Sequence, residues 1–160
     1  MIEIRPAQSV DPQSLLEHVV ATWHGEAVVA HDERLYPARL PGFVAVSEGE
    51  IAGHITYRGD GERCEVTSID AIPHHAGIGT MLLDAVIEAA PKAGHRTVWL
   101  TTTNDNLDAI RFYQRRGFRL CALRPGAVDR ARATLKPEIP LVGSYGIPMR
   151  DELDLELELD

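Results

Sequence analysis

The sequence predicts a mixed α/β protein, a sheet covered by helices, folded as a single domain over residues 1–160. Three observations predict it. Apolar runs rich in β-branched residues, at 43–47, 51–57, 64–72 and 98–103, read as strands. Between the last two lies a stretch, 78–90, whose apolar residues recur at helical spacing. The chain has 160 residues, 44% hydrophobic and 25% charged, which suits one buried core. Neither an internal repeat nor a low-complexity tract interrupts it.

The elements follow in order. Ile2 to Ala7 reads as an opening strand. Asp11 can cap, and Pro12 can begin, a helix running to about Trp23, with Leu15, Leu16, Val19 and Val20 at helical spacing. From Gly25 to Pro41 the pattern dissolves and an irregular segment is expected, broken by Pro37 and Pro41. Phe43 to Ser47 and Ile51 to Tyr57 form a hairpin around Glu48-Gly49-Glu50, and Cys64 to Ile72 is the next strand. Ile78, Met81, Leu82, Ala85, Val86, Ala89 and Ala90 mark one face of a long helix that Pro91 and Gly94 end. Val98 to Thr103 reads as a central strand, Asn106 to Arg116 as a helix with Gly117 beyond it, and Phe118 to Leu123 as a strand. Ala127 to Leu135 is helical, and Lys136 to Met149, with three prolines, is a loop. Leu153, Leu155, Leu157 and Leu159 alternate with acids, so the tail is expected as a strand with leucines buried and acids in solvent.

The formal charge of −8 is mostly local. Six acids lie in residues 151–160, and without them the balance would be −2. No basic stripe is present, which argues against nucleic-acid binding. No apolar run reaches the length of a membrane helix, and the first residues carry no basic segment followed by an apolar one, so neither a membrane partner nor a secretory signal is expected. Cys64 and Cys121 have no metal or redox spacing and are expected to be buried, reduced thiols of a cytoplasmic protein.

The segment with most chemistry joins the strand ending at Ile72-Pro73 to the long helix: His74-His75-Ala76-Gly77-Ile78-Gly79-Thr80. A helix N-terminus offers unpaired N–H groups and a partial positive charge to a phosphate. Gly77 and Gly79 remove the Cβ atoms that would block its approach. A P-loop would need a lysine before Thr80, and a dinucleotide fingerprint would need a small residue where Leu82 stands. A metal site at His74 and His75 is not expected: adjacent residues rarely reach one ion, and no Cys or acid has ligand spacing.

Two runs carry a family resemblance. IDAIPHHAGIGTMLLDAVIEAA resembles the pyrophosphate motif of the GNAT superfamily of acetyl-CoA-dependent acyltransferases, and NLDAIRFYQRRGFRL resembles its second signature, with Asn106, Ala109, Tyr113, Gly117 and Phe118 in the matching places. The resemblance implies a mostly antiparallel central sheet of about six to seven strands. It implies that the pantetheine arm of acetyl-CoA lies along the strand at Ser68, Ile69, Asp70, Ala71 and Ile72, that the loop from His74 to Thr80 holds the phosphates, and that Asn106, Ala109 and Tyr113 also meet the cofactor. Asn106 is equally placed as a helix N-cap. Tyr113 would give a proton to the departing thiolate, and Glu65 stands where some members place a glutamate base. His54, on the neighbouring strand, is a second base candidate. The loop departs from the family pattern in being two residues shorter and in having His74 where an Arg or Gln is commoner. A histidine carries no fixed charge, so phosphate binding would rest on backbone amides and on pH.

The resemblance therefore implies an N-acetyltransferase acting on a primary amine of a small molecule or peptide, with acetyl-CoA as cosubstrate and no metal. The alternative is a non-catalytic acyl-CoA-binding sensor or partner-binding module on the same fold. The acceptor is expected to meet residues 27–42 and 136–150, and an exposed sheet edge offers a route to a homodimer.

Overall fold

Seven strands form one sheet. The computed structural model describes residues 1–71 and 77–160. The strands are β1 (Ile2–Pro6), β2 (Val28–Ala30), β3 (Glu33–Leu35), β4 (Gly42–Ser47), β5 (Glu50–Asp60), β6 (Arg63–Ala71), β7 (Thr97–Thr103), β8 (Arg119–Arg124) and β9 (Glu152–Glu158). The helices are α1 (Pro12–Trp23), α2 (Ile78–Lys92), α3 (Leu107–Arg115) and α4 (Ala127–Thr134). The sheet order is β1-β4-β5-β6-β7-β9-β8, mostly antiparallel, with β2 and β3 pairing apart. This is the fold class that the sequence predicts. No described helix is long and apolar enough to cross a membrane.

The chain divides into two compact units. The first comprises Met1–Val28, Tyr36–Val98 and Leu159–Asp160. In it β1, β4, β5 and β6 make an antiparallel meander. Asp11 caps α1, its carboxylate accepting from Ser14 N at 2.9 Å, and Pro12 occupies the first turn, where an N–H would lack a partner. Leu15 of α1 packs with Ala7, Val44 and Val46 on one side of the sheet. On the other side lies α2, with Ile78, Leu82, Leu83, Val86 and Ala90 buried. Leu83 takes the buried place that the sequence reading gave to Met81, which is exposed. A Cβ on Gly53 of β5 would stand 2.7 Å from Ile78 Cγ2 and 2.9 Å from the Asp70 carbonyl, so this glycine lets α2 sit close to the strand.

The second unit comprises Val29–Leu35 and Trp99–Glu158. Residues 25–41 are more regular than expected: β2 and β3 pair across a turn at His31 and Asp32, both with positive φ, and Pro37–Arg39 form a 3₁₀ turn. Propensity hides this hairpin because its strands have three residues each. The His31 amide donates to the Glu152 carboxylate at 3.0 Å, which ties the turn to β9. The proline-rich segment is held by Arg132, which donates to the carbonyls of Ile139, Pro140 and Met149. Asp105 accepts from Ser144 N at 2.9 Å.

Strand β9 corrects the alternation argument. Leu155 is buried as expected, yet so are Glu152 and Asp154. Arg124 of β8 explains this, donating to Glu152 Oε1 at 3.0 Å and to Asp154 Oδ2 at 2.6 Å. Period two identifies the strand, but a single cross-strand guanidinium decides whether its acids meet water. Cys64 is buried as expected, whereas Cys121 is exposed, and neither forms a disulfide.

Candidate active site

Strand β6 supplies the first part of the site, and its local geometry is set by one extra residue. Opposite Thr56 and Tyr57 of β5 stand Ser68 and Val66, so Thr67 has no register partner of its own on β5. Thr56 Oγ1 lies 2.7 Å from Thr67 Oγ1 and 2.6 Å from Ser68 Oγ, all three side chains buried. This hydroxyl cluster fixes the bulge.

Glu65 precedes the bulge. It is buried and accepts from Arg58 Nε at 2.9 Å, directly across the strand pair. Beyond the bulge Asp70 faces His54 across the register. Asp70 Oδ2 meets His18 Nε2 of α1 at 2.7 Å. His54 is 1% exposed, and burial, outweighing the attraction of Asp70, pushes its pKa down to about 4. Its ring stands edge-on to His18, with centroids 6.5 Å apart. His54 is therefore a neutral imidazole at physiological pH.

The strand leads towards α2. Ile72, His74, His75 and Ala76, four residues of the expected cofactor site, lie outside the described residues. Gly77 is described: it precedes α2 in the left-handed region, φ 75°, and its carbonyl accepts from Met81 N at 3.1 Å. That φ explains the glycine, since side chains with a Cβ rarely adopt it. A Cβ placed there would meet no atom of the described residues within 4 Å. Ile78 is buried, while Gly79 and Thr80 are half-buried in the first turn. The first turn of a helix directs N–H groups outward, a suitable bed for phosphate. Among the described residues no group of three His, Cys, Asp or Glu side chains could hold a metal ion.

In the second unit Asn106 caps α3, its side chain accepting from Ala109 N at 3.3 Å. Tyr113 lies seven residues on, 5% exposed, with Phe112 edge-on at 5.3 Å and Phe118 tilted at 5.6 Å. Its carbonyl accepts from Phe118 N at 3.1 Å across Gly117, whose φ of 92° turns the chain out of the helix. Burial pushes the phenol's pKa well up, so it keeps its proton.

Sequence reasoning missed His18. The available signal was a histidine one residue before Val19 on a helix whose Leu15 and Val19 point inward. It also missed the contact of Asp70 through its side chain, because the resemblance assigns that position by its backbone.

Comparison with known proteins agrees with this geometry. Residues 9–118 match the model of the acetyltransferase (GNAT) family. YdhI, an uncharacterized protein of Bacillus subtilis (strain 168), is 52% identical over 115 residues, 71% of each chain. Streptothricin acetyltransferase of Streptomyces lavendulae is 36% identical over 86 residues, 51% of this chain and 46% of that one. Among solved structures, a GNAT family acetyltransferase from Elizabethkingia anophelis with acetyl-CoA bound superposes with a TM-score of 0.71, at 22% identity, over 99% of this chain and 98% of that one. A Bacillus subtilis acetyltransferase in complex with CoA gives 0.72 at 20% identity over the full length of both. These likenesses establish the fold, and the family model together with YdhI establishes descent: the chain belongs to the GNAT family of acetyltransferases.

Proposed function

We propose that this chain transfers an acetyl group from acetyl-CoA to a primary amine of a small molecule or peptide by direct attack, as a single-domain enzyme over residues 1–160. The observation that carries the reading is β6 with its bulge, together with α2, whose N-cap Gly77 lies in the left-handed region. Bound structures of similar folds and a relative named for acetylating streptothricin support it.

Acetyl-CoA would bring an activated thioester, and the residues present fit such a ligand. The amides of Gly77, Ile78, Gly79 and Thr80 would take the phosphates, with His74, His75 and Ala76 completing the loop. Backbone groups of Ser68, Ile69, Asp70, Ala71 and Ile72 would pair with the pantetheine arm, and one N–H there would stabilise the oxyanion. Asn106 and Ala109 would meet the same arm from α3. The amine must lose a proton before attack, because an alkylammonium titrates near the lysine value of about 10. Glu65 is the base that the resemblance implies. Its carboxylate is paired with Arg58, Nε to Oε1 at 2.9 Å, so an amine would have to share it with the guanidinium. Tyr113 would protonate the leaving thiolate. A cytoplasmic location suits these thiol-dependent steps and two cysteines that form no disulfide.

Saturating coenzyme A should raise the melting temperature, by about 2.7 kcal/mol of added stability at a hundredfold excess over Kd. Absence of any shift would remove the cofactor. A shift without thiol release on a broad panel of amines would instead favour a sensor. Gly77→Val should abolish the shift, because a β-branched residue does not hold φ 75°. Full retention of affinity would move the phosphate site elsewhere.

A further inference from the structure

One cluster in the first unit is not used by the mechanism above. Asp70 Oδ1 and both ring nitrogens of His54 are buried and have no hydrogen-bond partner among the described residues. The Asp70 side chain is 8% exposed and the His54 residue 1%. Buried polar atoms are nearly always paired, and a carboxylate oxygen without a donor loses its hydration for nothing in return. These three atoms belong to side chains directly opposed in the β5–β6 register. Thr56 and Ser68, the next pair on the same face, spend their hydroxyls on each other and on Thr67.

The chemistry of the cluster narrows what would complete it. His18 holds Asp70 Oδ2 at 2.7 Å, which leaves Oδ1 as the carboxylate's open acceptor. The charged and titratable groups facing Asp70 are His18 from α1 and His54 from β5. Neutral imidazole has one acceptor nitrogen and one donor. The cluster therefore presents two acceptors, one imidazole N–H donor and the Asp70 carboxylate. An anion or a carbonyl would satisfy neither acceptor, whereas a group with several N–H donors and a positive charge satisfies both. Asp70 also stands on the strand proposed to carry the acetyl donor.

We infer that Asp70 and His54 form the seat of the acceptor's ammonium group, with His18 as the positioning residue that aims Asp70 Oδ1. This rests on the reading of the chain as an amine acetyltransferase and gives the ammonium proton an acceptor other than Glu65, whose carboxylate is engaged by Arg58. In the step, one N–H bond of the ammonium breaks and an O–H bond forms on Asp70 Oδ1. The electron pair stays on nitrogen for attack on the thioester, and the carboxylic acid later returns its proton to water.

The test uses the whole chain, with coenzyme A added, titrated with methylammonium chloride and, as a control, tetramethylammonium chloride. The C–H signals of His18 and His54 are followed by NMR. Methylammonium should move the His54 signals, tetramethylammonium, which has no N–H, should not, and Asp70→Asn should lose the response. Should Asp70→Asn not fold, His54→Gln read through His18 serves the same purpose, its response being weakened at least tenfold in apparent Kd. With an amine that is turned over, Asp70→Asn should lower kcat/KM by about 10² or more while Glu65→Gln lowers it less. His18→Gln should shift the pH–rate profile, which a purely structural contact would leave in place. Unmoved histidine signals in the wild type, or equal movement in Asp70→Asn, would overturn the seat. The coenzyme A thermal shift is read separately, so its absence refutes the cofactor reading and its presence with silent histidines refutes this inference alone.

Discussion

Tyr113→Phe should lower kcat for amine acetylation by about 10²- to 10⁴-fold, the range that a positioned general acid contributes. The substitution removes one oxygen from a buried ring and keeps the packing against Phe112 and Phe118. The coenzyme A thermal shift should therefore stay within about 1 kcal/mol of the wild type, a small change for an isosteric swap. Burial raises the phenol's pKa, which has two opposite consequences. It guarantees that the proton is present across the working pH range, and it makes the phenol a weaker acid. The transfer becomes favourable only if the departing thiolate is desolvated as well, because desolvation raises a thiol's proton affinity in the same way. The pH–rate profile of the wild type should accordingly show no limb from Tyr113 below about pH 10, the ordinary phenol value. An unchanged kcat in Tyr113→Phe would remove the general-acid role and leave Tyr113 as core.

Much of this arrangement was legible in the chain itself, and the reasons differ from element to element. Helix α2 was readable because its burial follows helical period, and Asn106 because a polar cap must precede an apolar stripe. The glycine before α2 was readable for a physical reason as well, since φ 75° admits few other residues. The hairpin of β2 and β3 was not, because three-residue strands leave too little pattern and its turn is fixed by Glu152, more than a hundred residues away. Separation along the chain also hid the cluster at Asp70. His18 and Asp70 are 52 residues apart, and only the placing of α1 against the sheet brings them to 2.7 Å. Local spacing finds backbone roles, whereas pairings of buried charge depend on tertiary contacts that no periodicity encodes.

Arg124→Met should cost about 3–5 kcal/mol of stability at pH 7, the usual penalty for removing one partner of a buried ion pair. Here the loss leaves two buried carboxylates, Glu152 and Asp154, without their cation. The pH dependence distinguishes this account from simple loss of packing. In the wild type, burial disfavours the ionised form of Asp154, but hydrogen bonds from Arg124 and Thr101 outweigh it and hold the pKa below the usual carboxylate value. A depressed folded pKa contributes stability above the unfolded value of about 4, lost as pH falls through the folded one. In Arg124→Met the sign reverses at Asp154, because its burial is then opposed only by the Thr101 hydrogen bond and the attraction of His31. The stability difference between the two proteins should therefore narrow as pH drops from 7 to 5, measured by urea denaturation at each pH. A gap of equal size at both would mean that Arg124 acts through its methylenes alone. Because Glu152 also accepts the His31 amide, the variant should loosen the β2–β3 turn, read as faster hydrogen exchange at His31. The acidic alternation of β9 would then owe its burial to one arginine on the neighbouring strand, and the turn that β9 anchors would depend on it too.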